Sequence, residues 1–451
     1  MSSQPIQTKD NSERRLTETE LRHLDTLKKL AEPSIADLCR KEHPNLLIFP
    51  QDLDVYGDKI GDAHIFEVKG GDYKSIPTII TGNIMGFIGC ADTKVSISSR
   101  FAQDEKDYFL HYMLQKVFAV NLFDLQFNAD EESIFDFLIY LFPTFLKQAM
   151  RQGLYREYQK RQYNDANVKR HIDISRHIQQ NIPFAGSIAY TTREYAQDNH
   201  LTQLIRHTIE YISHHKYSGN ILRNDDDTAD AVKAICQATP SYNRNERLRV
   251  IHQNLRPVSH PYYGEYGPLQ QLCLQILRQE ELKYGRDDDE IYGVLFDGAW
   301  LWEEYLNTFL SGIGFEHPRN RERIGHICLF TDKTGWCYPD FVSPDMVLDA
   351  KYKICDEWGK IQREDIYQVL SYMHITNLKS GGFVVPLKKE THLSQKKELT
   401  GMGGLMFLFG VNTCPSASSF LDYQHKMMMA EKYLKNELLQ LTNALGSVED
   451  T

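Results

Sequence analysis

Hydrophobic positions change period several times along this chain, and the changes mark out its elements. Leu21, Leu24, Leu27 and Leu30 recur at helical spacing, with Thr17 and Glu20 placed as a capping box. A helix is expected over 17–29 and a second, after Pro33, to about Arg40. From Asn45 to Arg100 short apolar runs alternate with turn residues. Leu46–Phe49, Ala63–Val68, Thr78–Ile80 and Val95–Ile97 read as strands, with turns at Gly70-Gly71-Asp72 and Gly82-Asn83. Asp107 to Met150 returns to a helical pattern rich in Phe and Leu, and Thr192–Ser213 reads as a further helix. Residues 1 to about 14 are polar and expected to be disordered. The acidic stretches 220–230 and 284–290 read as loops, the second at a domain boundary.

Beyond residue 290 the pattern is more telling. A long helix is expected over Tyr292–Ser311. Strands follow at Ile324–Thr331, Trp336–Val342 and Met346–Ile354, a helix at Arg363–Ile375, strands at Gly382–Leu387 and Leu405–Val411, and a closing helix at Ser419–Asn443. In the third strand Met346, Leu348, Ala350 and Tyr352 share one face, and Val347, Asp349, Lys351 and Lys353 share the other. The turn residues Ser343-Pro344-Asp345 bring Asp340 back beside Asp349. Two carboxylates and a lysine on one polar face suit a hard cation and an activated water.

This stretch resembles the core of the PD-(D/E)xK nucleases, in which a Pro-Asp precedes an acid, any residue and a lysine. Asp340, Asp349 and Lys351 match that pattern, and the element order α-β-β-β-α-β matches its core. The resemblance implies Mg²⁺ (or Mn²⁺) held by Asp340, Asp349 and the Ala350 carbonyl, with Glu303 on the preceding helix as a further candidate. Lys351 would orient or help deprotonate the water and stabilise charge on the phosphate. Gln368 shares a helix stripe with Asp365 and Tyr372, where it could meet a phosphate or the water. Candidate DNA contacts are Arg319, Arg321 and Arg323 in the basic loop His317–Arg323, together with Lys353 and Tyr372.

Composition narrows the function further. The 451 residues are 41% hydrophobic and 25% charged, as in ordinary globular proteins. A net charge of -10 argues against a surface that grips nucleic acid everywhere, so DNA contact is expected through local patches or a partner. The one basic stretch, 151–180, interleaves Arg and Lys with Tyr155, Tyr158 and Tyr163, and reads equally as a solvated helix face and loop or as a nucleic-acid contact. The eight cysteines form no C-x-x-C pair, which suggests a reducing compartment and no zinc or iron–sulfur site. No run is long and apolar enough to span a membrane and no signal peptide is visible, so a cytoplasmic location is expected. With no phosphate-binding loop, the chain is expected to bind no nucleotide.

Several segments together resemble the McrC family, the nuclease subunit of McrBC-type and LlaJI-like restriction systems. They are Thr81–Ile88 with Ile97–Phe101, Gly153–Tyr158 with Val168–Ile174, Leu301–Tyr305, Tyr338-Pro339-Asp340, Leu348–Lys353 and Asp365–Gln368. Two departures stand out: Val168–Asp173 lacks the family's glycine, and Trp302 replaces its phenylalanine. The resemblance implies a type IV-like restriction endonuclease subunit that defends against foreign DNA. It would cut double-stranded DNA when driven by an AAA+ GTPase partner, whose GTP hydrolysis it stimulates. The expected fold is mixed α+β. Residues 1–44 would be a tail with short helices, 45–105 a small β module that docks the partner, 106–285 a mainly helical middle, and 286–451 the nuclease domain. A stand-alone repair nuclease and a non-catalytic assembly subunit remain as alternatives.

Overall fold

The structure, a computed structural model, describes residues 5–40, 46–50, 63–70, 76–103, 107–118, 131–169, 171–214, 221–223, 225–256, 258, 260–284, 291–318, 325–389, 392–401 and 403–449. The fold is mixed α+β, as the sequence suggests. One unit is built from Met1–Ile134 with Arg286–Thr451, the other from Phe135–Gly285.

The first unit holds two five-stranded sheets. In one, the strand order is Ile6–Lys9, Thr93–Ser98, Ile84–Cys90, Ile291–Asp297, Leu46–Phe49. Ile291–Asp297 lies within the stretch expected to be helical. It is instead a strand, antiparallel to Ile84–Cys90 and parallel to Leu46–Phe49. The close approach of two backbones demands glycine here. A Cβ on Gly86 would lie 2.1 Å from the Val294 carbonyl oxygen, and one on Gly293 would lie 2.2 Å from that of Phe87. The helix begins only at Gly298, where Asp297 caps it by accepting from the Ala299 N–H at 3.0 Å.

The N-terminal tail also departs from expectation. Ile6–Lys9 pairs in parallel with Thr93–Ser98, and Glu13–Arg15 joins a small sheet with Thr78–Thr81 and Phe66–Lys69. Tertiary pairing rather than apolar content orders this tail: only Ile6, Thr8 and Asp10 need burial. The Glu20 carboxylate reaches back to the Thr17 N–H at 2.8 Å, as the capping box requires, and the helix proper runs Leu24–Ala31. The N-terminal sheet therefore does not close within 45–105; it takes strands from both sides of that range.

The second five-stranded sheet runs Phe341–Val342, Val347–Ala350, Ser380–Leu387, Leu405–Asn412, Leu393–Glu398. The three central strands are parallel and the two edges antiparallel. Val347, Phe383, Val385 and Leu408 fill one core with Val369 and Met373 of the helix Arg363–Thr376. From the other side Trp302 of the helix Gly298–Leu310 is wholly buried and donates its indole N–H to the Val384 carbonyl at 3.3 Å. Both faces of Val347–Ala350 are thus covered, and its polar face is not solvated. The two expected strands before it are shorter: Ile327–Cys328 and Trp336–Cys337 form a separate ribbon, and Pro339 and Asp340 intervene before Phe341.

In the second unit Glu157–Asp165 and Ile188–Ala196 pair antiparallel, with His171–Ile172 on the far edge of the latter. Two expectations are overturned here. The middle of the basic stretch, Glu157–Asp165, is strand rather than helix face, and Thr192–Ser213 divides into the end of a strand and the helix His200–His214. Alternation of exposed and half-buried residues along Glu157–Asp165 shows why: the sheet has one open face, and long polar side chains tolerate it. Asp173 accepts from the Arg176 N–H at 3.2 Å and caps the helix Ile174–Gln180, so the motif keeps a cap without the family's glycine. The expected loop at 220–230 turns into a helix at Asp226, capped by Asp225; that at 284–290 lies almost entirely outside the described residues. Among the described residues no helix is long and apolar enough to cross a membrane.

Candidate active site around Asp340, Asp349 and Lys351

The hairpin register pairs Phe341 with Leu348, which sets Asp340 opposite the Asp349–Ala350 end of the neighbouring strand. Asp340 Oδ2 accepts from the Ala350 N–H at 2.7 Å. Asp349 is buried, with 1% of its surface exposed, and its carboxylate Oδ1 has no hydrogen-bond donor. The other oxygen is ion-paired: Lys351 Nζ lies 2.7 Å from Oδ2. The three residues of the motif therefore do converge.

The helix Arg363–Thr376 steadies the lysine. Gln368 Oε1 accepts from Lys351 Nζ at 3.1 Å, and Asp365 lies 3.6 Å from the same nitrogen. Gln368 Nε2 donates to the Tyr372 hydroxyl at 2.5 Å, and that hydroxyl donates to the Tyr338 carbonyl at 3.0 Å. Tyr372, expected to touch DNA, is buried and serves instead as a strut between this helix and the chain just before Asp340. Its hydroxyl needs partners once its ring is in the core, and these satisfy it. Lys353 is half-exposed and pairs with Asp365 at 2.8 Å. Arg319, Arg321 and Arg323 lie outside the described residues.

Two further residues at this site were not singled out from the sequence. His317 donates from Nδ1 to the Asp340 carbonyl at 2.7 Å, and its Nε2 lies 3.9 Å from Glu304. Nothing local marks His317 for this role, because its partner is 23 residues away. Glu304 is thus linked to Asp340 through His317. Glu303 is half-buried on the same helix but does not gather with Asp340 and Asp349 as a third carboxylate. Neighbouring helix residues diverge by about 100°, and Trp302 is the position turned to the sheet.

The electrostatics follow from burial. Desolvation raises the Asp349 carboxyl far above the ordinary carboxylate range, and the neighbouring Asp340 raises it further. Asp340 is raised as well, chiefly by desolvation, against the pull of the Ala350 N–H and Lys351. Burial alone would depress Lys351, but Asp349, backed by Asp340 and Asp365, outweighs it and holds the ammonium above its usual value. Two neighbouring carboxylates, with Oδ1 of Asp349 left without a donor, fit a divalent cation. Among the described residues no three His, Cys, Asp or Glu side chains form a ready cage. A cation would be held by Asp340 and Asp349, with a backbone carbonyl and waters completing its shell, a pattern Mg²⁺ accepts.

A family model for the McrBC 5-methylcytosine restriction system component matches residues 79–386, more than half of the chain. The chain belongs to this family. The matched range runs from the N-terminal sheet through the second unit to the Gln368 helix and the strand Ser380–Leu387. Among solved structures, the chain is similar to one from Thermococcus gammatolerans, in a refined half-complex of a tetradecameric assembly of McrB AAA+ hexamers with bound McrC. The two share 14% identity over 94% of this chain and 100% of that one, at a TM-score of 0.47. The Thermococcus gammatolerans McrBC complex seen by cryo-electron microscopy is a second likeness, with 15% identity over 68% and 87% of the two chains and a TM-score of 0.33. No curated protein matches the chain by sequence.

Proposed function

We propose that this chain is the McrC-type, Mg²⁺-dependent DNA endonuclease subunit of its restriction system, working with an AAA+ GTPase partner of the McrB kind whose GTP hydrolysis it stimulates. The observation that carries this is the buried Asp349 carboxylate, its Oδ1 without a donor, with Asp340 beside it and Lys351 Nζ 2.7 Å from its Oδ2. A structural ion pair alone gives no reason to bury a second carboxylate against the first, since like charges in a dry site are costly.

When bound, the cation would neutralise phosphate charge and make water acidic enough to attack at neutral pH. Asp340 and Asp349 would hold it. Lys351 is kept as an ammonium, which suits it to stabilising the charge that develops on the phosphate rather than to removing a proton. Gln368 and Asp365 fix where that charge sits. Lys353, half-exposed beside them, is placed to meet the DNA backbone. Double-stranded DNA carrying 5-methylcytosine is the substrate to try first, with GTP, Mg²⁺ and an McrB-type protein present.

Asp349→Asn and Lys351→Ala are each expected to lower cleavage by about two orders of magnitude or more, while leaving partner binding intact. Near-full cutting by either variant would remove the assignment. Strong cutting by the wild-type chain without partner or nucleotide would favour a stand-alone nuclease.

A further inference from the structure

Lys351 stands at the point where its strand ends. Its N–H still bonds the Val384 carbonyl at 3.0 Å, but the Lys353 N–H already turns back to the Lys351 carbonyl at 2.9 Å. The sheet therefore holds Lys351 from one side only. The other side is held through Tyr352, and Ser99, Arg100 and Phe101, all outside the second sheet, grip Tyr352. Its hydroxyl lies 2.9 Å from Ser99 Oγ, and its ring packs edge-on against Phe101 at 5.3 Å between centroids. The Arg100 guanidinium lies 4.7 Å from the centre of the same ring, and its Nη1 donates to the Tyr352 carbonyl at 3.3 Å. Gly298 makes room for the ring: a Cβ there would lie 2.7 Å from Tyr352 Cε1.

Arg100 is itself fixed. Its Nε and Nη2 donate to Asp10 Oδ2 at 2.8 and 2.6 Å, its backbone N–H donates to Asp10 Oδ1, and Nη2 also reaches Asn83 Oδ1. Asp10 is fully buried and Arg100 is 7% exposed. A buried pair of this kind contributes little net stability compared with apolar side chains of the same volume. What it supplies is geometry: a rigid fork whose donors serve Asp10, Asn83 and the Tyr352 carbonyl at once.

We infer that Arg100 is a positioning residue for Lys351, acting through Tyr352, so that the N-terminal sheet sets the placement of the charge at the active site. This inference rests on the nuclease reading above. It goes beyond it in assigning a catalytic consequence to Arg100, Asp10 and Asn83, none of which touches the site.

The test uses the full chain with its partner and GTP. Arg100→Lys keeps a cation opposite Asp10 but cannot span three acceptors. It is expected to melt close to wild type, yet to cut about tenfold more slowly at saturating DNA, with KM for DNA unchanged. Asn83→Ala removes one acceptor without touching the buried pair. It is expected to slow cutting in the same direction by about threefold, and it carries the test if Arg100→Lys does not fold. A readout independent of cleavage is the ¹³C-dimethyl resonance of Lys351 after reductive methylation, assigned with Lys351→Arg. It should move in Arg100→Lys and Asn83→Ala relative to the wild type. Cutting at the wild-type rate by the folded Arg100 variant, or an unmoved Lys351 resonance, would overturn the inference. If the wild type itself cuts no DNA, the nuclease reading falls, and the resonance alone decides whether Arg100 places Lys351.

Discussion

Asp349 is the residue whose surroundings are hardest to explain without a cation. Its carboxyl is raised by burial and by Asp340, so without metal the folded state holds a proton at this pair over a pH range where the unfolded chain has released it. The sign follows directly. The stability this gives is fully present below the ordinary carboxylate pKa and is lost as pH rises through the raised values. The metal-free chain should therefore lose stability across that window, by up to about 1.4 kcal/mol per pH unit for each proton. Added Mg²⁺ should restore it most at the alkaline end, and Asp349→Asn should flatten both trends. Thermal melts across pH, with and without Mg²⁺, measure this; a wild-type profile matching that of Asp349→Asn would count against the paired-carboxylate picture. At the same scale, His317→Asn removes the imidazole from between the Asp340 carbonyl and Glu304. A loss of about 1 kcal/mol of stability is expected, with a weaker apparent Mg²⁺ affinity, measurable by melting and by cleavage against Mg²⁺ concentration.

At the scale of elements, the helix Arg363–Thr376 links both halves of the site. Tyr372→Phe cuts the strut between Gln368 and the Tyr338 carbonyl while leaving the ring in the core. The expected result is a cost of about 1 kcal/mol in stability and a several-fold slower cut, because Gln368 loses one of the two bonds that orient it toward Lys351. If Tyr372 instead met DNA, the same change would weaken DNA binding and leave the melting point alone. The strand Ile291–Asp297 teaches a second lesson. Its apolar run flows into the helix that follows, and periodicity cannot separate a short buried strand from the first turns of a buried helix. Only the sheet waiting between Ile84–Cys90 and Leu46–Phe49 decides it.

For the whole molecule, the interleaving of chain segments matters most. The N-terminal sheet includes Ile291–Asp297 from beyond the second unit, and Ser99, Arg100 and Phe101 grip Tyr352 beside the active site. Removing residues 45–105 as a detachable docking module should therefore unfold the nuclease part as well. Loss of cooperative melting and of stabilisation by Mg²⁺ in the truncated chain would show it; a stable remnant that Mg²⁺ stabilises would show that the module is separable after all.

The sequence alone was enough to bring the three candidate residues together. Asp340, Asp349 and Lys351 lie within one hairpin, where strand alternation and a short turn are enough to bring them together. The helix bearing Gln368 was legible for the same reason, its apolar stripe being local. The long-range grip on that site was not legible. Arg100 and Tyr352 are 252 residues apart, His317 and Asp340 are 23 apart, and the strand Ile6–Lys9 looks like a polar tail until Thr93–Ser98 pairs with it. Such pairings cost chain entropy that only the assembled core repays, so no local pattern announces them.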